Sequence, residues 1–465
     1  PFLIRCLRLI PLELIQFGRK DNTLSLEFII LCQNISASYE LWGMSNCKTS
    51  FAAAIILILG PLNLLSQSAG LNSSSTNLAS ATLHPKDLPV SPPFVPLENG
   101  VLTLSFDDLS ADYTTYYVRV RHCTHDWWYS DLHPSEYIDG FFDMIINEID
   151  DSFGTKVNYT HYTTDIPRDD MIITKSGNYV LEVFKPEQPE EIVISRRFVL
   201  FEDLSFIEAE VREPAEIALR RTHQDIAFIV TEDNYSFLDP YNDLHCTVLQ
   251  NARWDNSISN LPPRYIKGRE IEFTQVGYLF PGGNSYRFAD LKSLSYTARG
   301  VAAVVERDYS FHHLLEPSLR RTYKYHSSSP DINGAFVISN DRYEIHTGSD
   351  YSMTHFSLPM PYELNGRDVF IFGEISNGRY LSTHKMHWND SKSSYESELL
   401  LKQGYYNFIY LVKDTNAPEN EIGMTADIEG NHFATDNLYT VFVYYSDFEG
   451  YDRVVGFAQW NNDPH

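Results

Sequence analysis

The sequence predicts an all-β protein, with tandem immunoglobulin-like or early-set β-sandwich domains in its mature part. Three observations carry that expectation. Short runs of alternating apolar and polar residues, rich in Tyr, Phe, Val and Ile, recur from residue 101 to residue 445, and side chains on a strand alternate between its two faces. Between the runs stand Asn99-Gly100, Asp139-Gly140, Asn333-Gly334, Asn365-Gly366 and Asn377-Gly378, pairs that tolerate the positive φ angles of tight turns. The pattern also breaks near 202–204 and 346–350, which leaves segments of ordinary sandwich size. A propeller or solenoid is disfavoured because no short-period repeat is visible.

Taken in order, the chain begins ambiguously. Its first methionine is Met44, so residues 1–43 are read as an upstream extension and not as native protein. Residues 44–66 have the form of a secretory signal peptide: Lys48 is the basic start, and 51–62 (FAAAIILILGPL) is an apolar core too short to span a bilayer. No cysteine follows that core, so no lipid anchor is expected. Residues 67–93, rich in Ser, Asn, Ala and Pro, are read as a flexible lead-in.

A first β-sandwich is expected over 94–202, with strands at 101–106, 114–121, 157–163, 179–184 and 192–201, and a short helix at 141–149. A middle β domain follows over 203–348, with strands at 226–230, 245–250, 301–306 and 335–338. The last domain, 349–462, has strands at 369–372, 397–401, 405–411 and 438–445. Its runs Val369-Phe370-Ile371-Phe372-Gly373 and Leu399-Leu400-Leu401-Lys402-Gln403-Gly404-Tyr405-Tyr406 look like an early-set sandwich.

Composition limits the possible partners. With 36 Lys+Arg against 62 Asp+Glu the formal net charge is −26, which argues against nucleic acid, because phosphate binding relies on clustered cations. It argues equally against an anionic membrane surface. Of the five cysteines, Cys6, Cys32 and Cys47 precede the expected mature chain. Cys123 and Cys246 fall in different expected domains, so two free thiols are expected.

Candidate chemistry centres on His122-Cys123-Thr124-His125-Asp126-Trp127-Trp128, at the end of a strand-like run. If the strand continues, His122 points away from both Cys123 and His125, and one zinc ion would not be held without a turn. No second Cys/His cluster completes four ligands. The block is therefore read as architecture, a core strand ending with Trp127 packed beneath the first sandwich. Nucleophile-elbow, H-E-x-x-H, P-loop and dinucleotide motifs do not occur. Asp331-Ile332-Asn333-Gly334 lacks the ligand ladder of a calcium loop and reads as a turn. The acidic pairs Asp107-Asp108 and Asp169-Asp170 read as solvated. Of Arg196 and Arg197, only one can face a given side of a strand, so a paired or snorkelling arginine is expected.

Several blocks form an ordered series: Phe106-Asp107-Asp108-Leu109; His122-Cys123 with Trp127 and Ser130; Glu136-Tyr137-Ile138-Asp139-Gly140; Tyr159-Thr160-His161-Tyr162; Ser176-Gly177-Asn178-Tyr179; Arg196-Arg197-Phe198; Gln250-Asn251-Ala252-Arg253-Trp254; Gly283-Asn284-Ser285-Tyr286-Arg287; Lys402-Gln403-Gly404-Tyr405-Tyr406-Asn407; and Glu429-Gly430-Asn431-His432 through to Val443-Tyr444-Tyr445. In this order they resemble the plug protein family of the type IX secretion system of Bacteroidota, over roughly residues 91 to 460. Ser285 and Tyr286 depart from the acidic residue and Phe expected there.

The resemblance implies a periplasmic protein that binds the outer-membrane translocon β-barrel and seals its periplasmic opening when no substrate occupies it. It implies no enzyme activity, cofactor, metal or small-molecule ligand. It marks His122, Cys123, Trp127, Arg197, Gln250, Asn251, Arg253, Trp254, Asn284, Arg287, Gly404, Tyr405 and Asn431 as structural or interface residues. Two other classes compete. One is a non-catalytic glycan-binding protein using Trp128, Trp254 and Trp388; the other is an enzyme using Cys123 or the acidic pairs.

Overall fold

A computed structural model describes residues 77–462, except 234, 275–277, 323–325, 327–328, 342–344, 419 and 447–449. The expected upstream extension (1–43), the expected signal peptide (44–66) and the start of the expected lead-in lie outside the described residues. The regular structure is nearly all β, 51% strand against 5% helix. Its two α-helices, Pro240–Asp243 and Ile345–Gly348, are single turns. Among the described residues no helix is long and apolar enough to cross a membrane.

The first domain is a sandwich. One sheet orders the strands Leu78–Pro85, Leu102–Asp108, Thr160–Ile166 and Glu148–Asp151; the other orders Phe94–Pro96, Gln188–Phe201, Gly177–Lys185, Tyr117–Cys123 and Asp143–Ile145. Alternation builds the core: Leu102, Leu104 and Phe106 point in, while Thr103 and Ser105 lie half-buried between them. Phe106 stacks on Tyr162, and Tyr116 meets both edge-on. Two expectations fail here. The lead-in expected to be flexible contributes the strand Leu78–Pro85, paired antiparallel with Leu102–Asp108 with one register shift between Ala79 and Thr82. The helix expected at 141–149 is instead the strands Asp143–Ile145 and Glu148–Asp151; its β-branched residues suit pleated backbone.

The middle domain is discontinuous. One of its sheets orders Ser205–Arg212, His223–Glu232, Glu270–Phe273 and Tyr265–Lys267; the other orders Leu244–Gln250, Leu438–Ser446 and Asp452–Asn461. Their core joins Phe228, Val230 and Phe273 to Tyr439, Val441 and Val443. The last domain is inserted between these parts. A nine-stranded sheet runs from Arg287–Asp290 through Gly404–Asp414 and Ser394–Lys402 to Val301–Arg307. Ala289 and Val301, on strands at opposite ends of that order, share one core, so the sheet bends round it. The expected boundary at 348/349 is therefore overturned. Strands on both sides of it, Ser310–Leu315 and Tyr351–Pro359, pair directly, and the last two strands belong to the middle domain. Sequence order hid this because strand pairing is set by contacts far apart along the chain.

The strand Gly177–Lys185 is buried along almost its whole length. One face fills the first core with Tyr179, Leu181 and Val183. The other presents Val180 to a second cluster, where Cys123, Trp127 and Val199 meet Leu249, Phe442, Tyr444 and Val454 of the middle domain. A strand covered on both faces reads as a continuous apolar run.

Candidate functional site at the domain junctions

The block from His122 to Trp128 is divided among different surroundings. The strand ends at Cys123, and a turn follows in which the Trp127 amide donates to the Thr124 carbonyl at 3.0 Å. Trp127 itself has φ +67°. His122 is buried against Tyr137, Tyr179 and Tyr451, with Nδ1 2.9 Å from Ser130 Oγ. Burial pushes its imidazole down to about 4. Burial pushes the Cys123 thiol up to about 12, and likewise raises Cys246. Both cysteines are free and buried, so each is a neutral thiol packed as a small hydrophobe. His125 turns to the middle domain: its amide donates to Asp452 Oδ2 at 2.7 Å, Nδ1 lies 2.9 Å from the same oxygen, and its ring stacks on His245 at 4.0 Å. Among the described residues no group of three or more His, Cys, Asp or Glu could hold a metal ion.

Trp127 packs against the outer face of the first sandwich, with Cys123, Val180 and Val199. That face is also the seam with the middle domain, where Trp127 lies edge-on to Trp254 at 4.7 Å, with the Arg197 guanidinium 4.4 Å from its ring. Trp254 also packs on Phe94 and Phe442. Trp388 is half-buried against Tyr395, its Nε1 donating to Asp390. Of the three tryptophans considered for sugar stacking, only Trp128 is exposed.

The acidic pair at 107–108 is not solvated; Asp107 and Asp108 are 1 % and 2 % exposed. Asp108 accepts from Tyr116 Oη and from Ser110. Asp107 joins the first domain to the inserted one. Lys402 Nζ lies 2.6 Å from its Oδ2, Tyr351 Oη donates to the same oxygen at 2.6 Å, and His161 Nδ1 lies 2.6 Å from Oδ1. Burial alone would raise the Asp107 carboxyl; the His161 hydrogen bond and the Lys402 charge outweigh it and hold it below the usual range. Lys402 also donates to the His346 carbonyl and lies 4.0 Å over the Tyr159 ring. Nearby, Asp350 accepts from the Lys156 and Val157 amides at 2.7 and 3.1 Å. By contrast Asp170 stays near solvent, paired with Arg168.

The remaining signature residues hold the middle and inserted domains together internally, and Arg253 joins one to the other. Gln250 donates to the Pro281 carbonyl and to Tyr439 Oη. Asn251, at φ +54°, donates to Asn437 and accepts from the Leu438 amide. Arg253 grips Asp255 through two hydrogen bonds and lies 4.8 Å over Phe372 of the inserted domain. Asn284 donates to the Glu429 carbonyl. Arg287 and Arg321 both pair with the fully buried Glu429 carboxylate, and Asn431 accepts from Thr425. Tyr405 stacks on Phe288. An added Cβ at Gly404 would lie 2.5 Å from the Val337 carbonyl oxygen, so only glycine admits that strand. The series thus marks junctions and close approaches and not one reactive centre. Sequence reasoning missed Tyr351, Asp350 and Glu374. Lys402 carried a usable signal, a lone cation closing an apolar run.

Among the described residues neither Arg196 nor Arg197 has a carboxylate at ion-pair distance; the Glu374 charge acts on Arg196, and the Arg197 guanidinium lies over Trp127. Both line a cavity of about 310 Å³ at the meeting of all three domains, with Arg253, Trp254 and Glu374. Burial lowers both guanidinium groups to about 10 and raises Glu374 to about 7.

Fold and contacts together define a multidomain all-β protein whose ordered signature builds domain interiors and some of the junctions between domains. The family model for the type 9 secretion system plug protein 1st domain matches residues 78–202. A crystal structure of a hypothetical protein from Parabacteroides merdae is similar to this chain, with 30% identity, TM-score 0.81, and coverage of 85% of this chain and 100% of that one. A structure containing manganese lipoxygenase of Gaeumannomyces graminis and part of a zonadhesin of Komagataella pastoris matches at 8% identity, and so does an enterococcal surface protein N-terminal region; their TM-scores of 0.14 and 0.19 carry no argument. No curated protein matches. The chain belongs to the type IX secretion system plug protein family.

Proposed function

We propose that this chain is a periplasmic plug: it binds the outer-membrane translocon β-barrel of the type IX secretion system and seals its periplasmic opening when the channel is idle. The observation that carries this reading is the family match over the first domain. The physical architecture supports it. A plug has to keep its shape, and here the first domain is tied to its neighbours by the apolar seam around Trp127 and by the buried Asp107–Lys402 pair. The same domain exposes Tyr113, Trp128, Phe141 and Phe153, residue types suited to partner contact. In this reading the protein works by occupying space, with no reaction, cofactor or metal.

The test is co-purification. Tagged protein, extracted with outer membranes in mild detergent, is expected to bring down one very large β-barrel protein. Recovery without such a partner, from cells shown to contain the barrel, contradicts the proposal.

A further inference from the structure

The large sheet of the inserted domain stops at an open edge. Its end strand, Val301–Arg307, pairs on one side with Ser310–Leu315 and on the other with no strand. Only Asp308 and Tyr309 connect the two strands, so the flanking pair Arg307 and Ser310 bonds inward. Alternation along an antiparallel ladder then aims the N–H and C=O groups of Val304 and Glu306 away from the paired strand. Among the described residues no backbone group of 302–307 meets a backbone partner on that side. Open edges are ordinarily guarded by Pro, Lys or an inward charge. This one reads Val-Ala-Ala-Val-Val before Glu306 and Arg307, and its guard is a single register shift between Val301 and Ala303. The edge is also braced, because Lys156 of the first domain pairs with Glu306 and lies 4.2 Å over the Phe311 ring. Arg307, exposed at the end of the edge, has no carboxylate at ion-pair distance among the described residues. Beside it Tyr309 has φ +69° and is 92 % exposed. A left-handed backbone costs an aromatic residue stability, and this ring recovers none of it by burial.

We infer that this edge is a docking site for an extended segment of another polypeptide, which joins the sheet as one more strand beside Val301–Arg307. The outward groups of Val304 and Glu306 supply the main-chain ladder, and side chains on alternate positions supply selectivity. Ala303, Val305 and Arg307 share one face by alternation. The incoming segment therefore carries apolar residues beside Ala303 and Val305 and an acidic residue beside Arg307. Tyr309 is the aromatic contact at the end of the ladder. A second copy of this chain is a poor occupant. Each copy has a net charge of −26, and a two-fold antiparallel pairing of these edges leaves each Arg307 opposite an apolar residue. The inference is independent of translocon binding, since either can fail with the other intact.

The test is fluorescence polarisation of a labelled, end-blocked peptide, Thr-Val-Thr-Val-Thr-Glu, titrated with the expected mature chain, with amide hydrogen exchange to locate it. Saturable binding is expected, with slowed exchange at the Val304 and Glu306 amides. The same peptide with every amide N-methylated should bind about tenfold or more weakly, because it has no N–H to donate. Val304→Pro removes an outward N–H and leaves the groups that face Ser310–Leu315, so it should abolish binding. Arg307→Glu should weaken binding about tenfold and gives the second reading if Val304→Pro fails to fold. Absence of saturation, equal affinity of the methylated peptide, slowed exchange only outside 302–307, or unchanged affinity in the folded variants overturns the site. Self-association by sedimentation that Val304→Pro removes assigns the edge to a second copy and overturns the partner strand.

Discussion

Lys402 and His122 are single residues with measurable consequences. Lys402 is 1 % exposed and faces an equally buried Asp107. Removing Lys402 leaves the buried Asp107 carboxylate to His161 and Tyr351 alone, so Lys402→Met is expected to lower unfolding stability by about 3 kcal/mol, read by urea denaturation. Asp107→Asn together with Lys402→Met should recover part of that loss, because no charge is left uncompensated. His122 has an ordinary value of 6.5, lowered to about 4 by burial. The unfolded chain therefore binds a proton that the folded chain refuses between those values, so stability should fall as pH drops from 6.5 to 4 and change no further below. The size is about 3 kcal/mol, and His122→Phe should flatten that part of the stability profile. At this scale the sequence revealed which residues matter but not what they meet. Trp127, Arg197 and Asp107 each face a neighbour more than fifty residues away, and neither alternation nor spacing encodes that neighbour.

At the level of elements, every strand named from the sequence overlaps one in the structure, because the two-residue alternation of a half-buried strand is written locally, but others, among them Ser205–Arg212, Tyr351–Pro359 and Asp452–Asn461, were not named. What was not legible was their partners. The strand Leu78–Pro85 lies in a Ser-rich stretch whose residues are mostly half-buried at a sheet edge, so its apolar signal is thin. The strands Leu438–Ser446 and Asp452–Asn461 return to the middle domain across an inserted domain. A fragment of residues 203–348 should therefore fail to fold by circular dichroism, since Tyr439, Val441 and Val443 supply part of its core. Gly404→Ala should cost about 2 kcal/mol by pushing the Phe336–Ile338 strand off its neighbour, a loss checked by thermal melting.

Across the whole molecule, three β domains are held by junctions of different chemistry. The first and middle domains share an apolar seam with the His125–Asp452 contact. The first and inserted domains share the Asp107–Lys402 pair. The middle and inserted domains share Arg253, Asp255, Phe372 and Tyr380. Such bracing suits a body that blocks an opening without itself changing shape. The most direct measurement is the conductance of the purified translocon barrel in a planar bilayer, with this protein added to the periplasmic side. The account predicts a saturable fall in open-channel current. An unchanged current at saturating protein, with the barrel shown to be open, would contradict it.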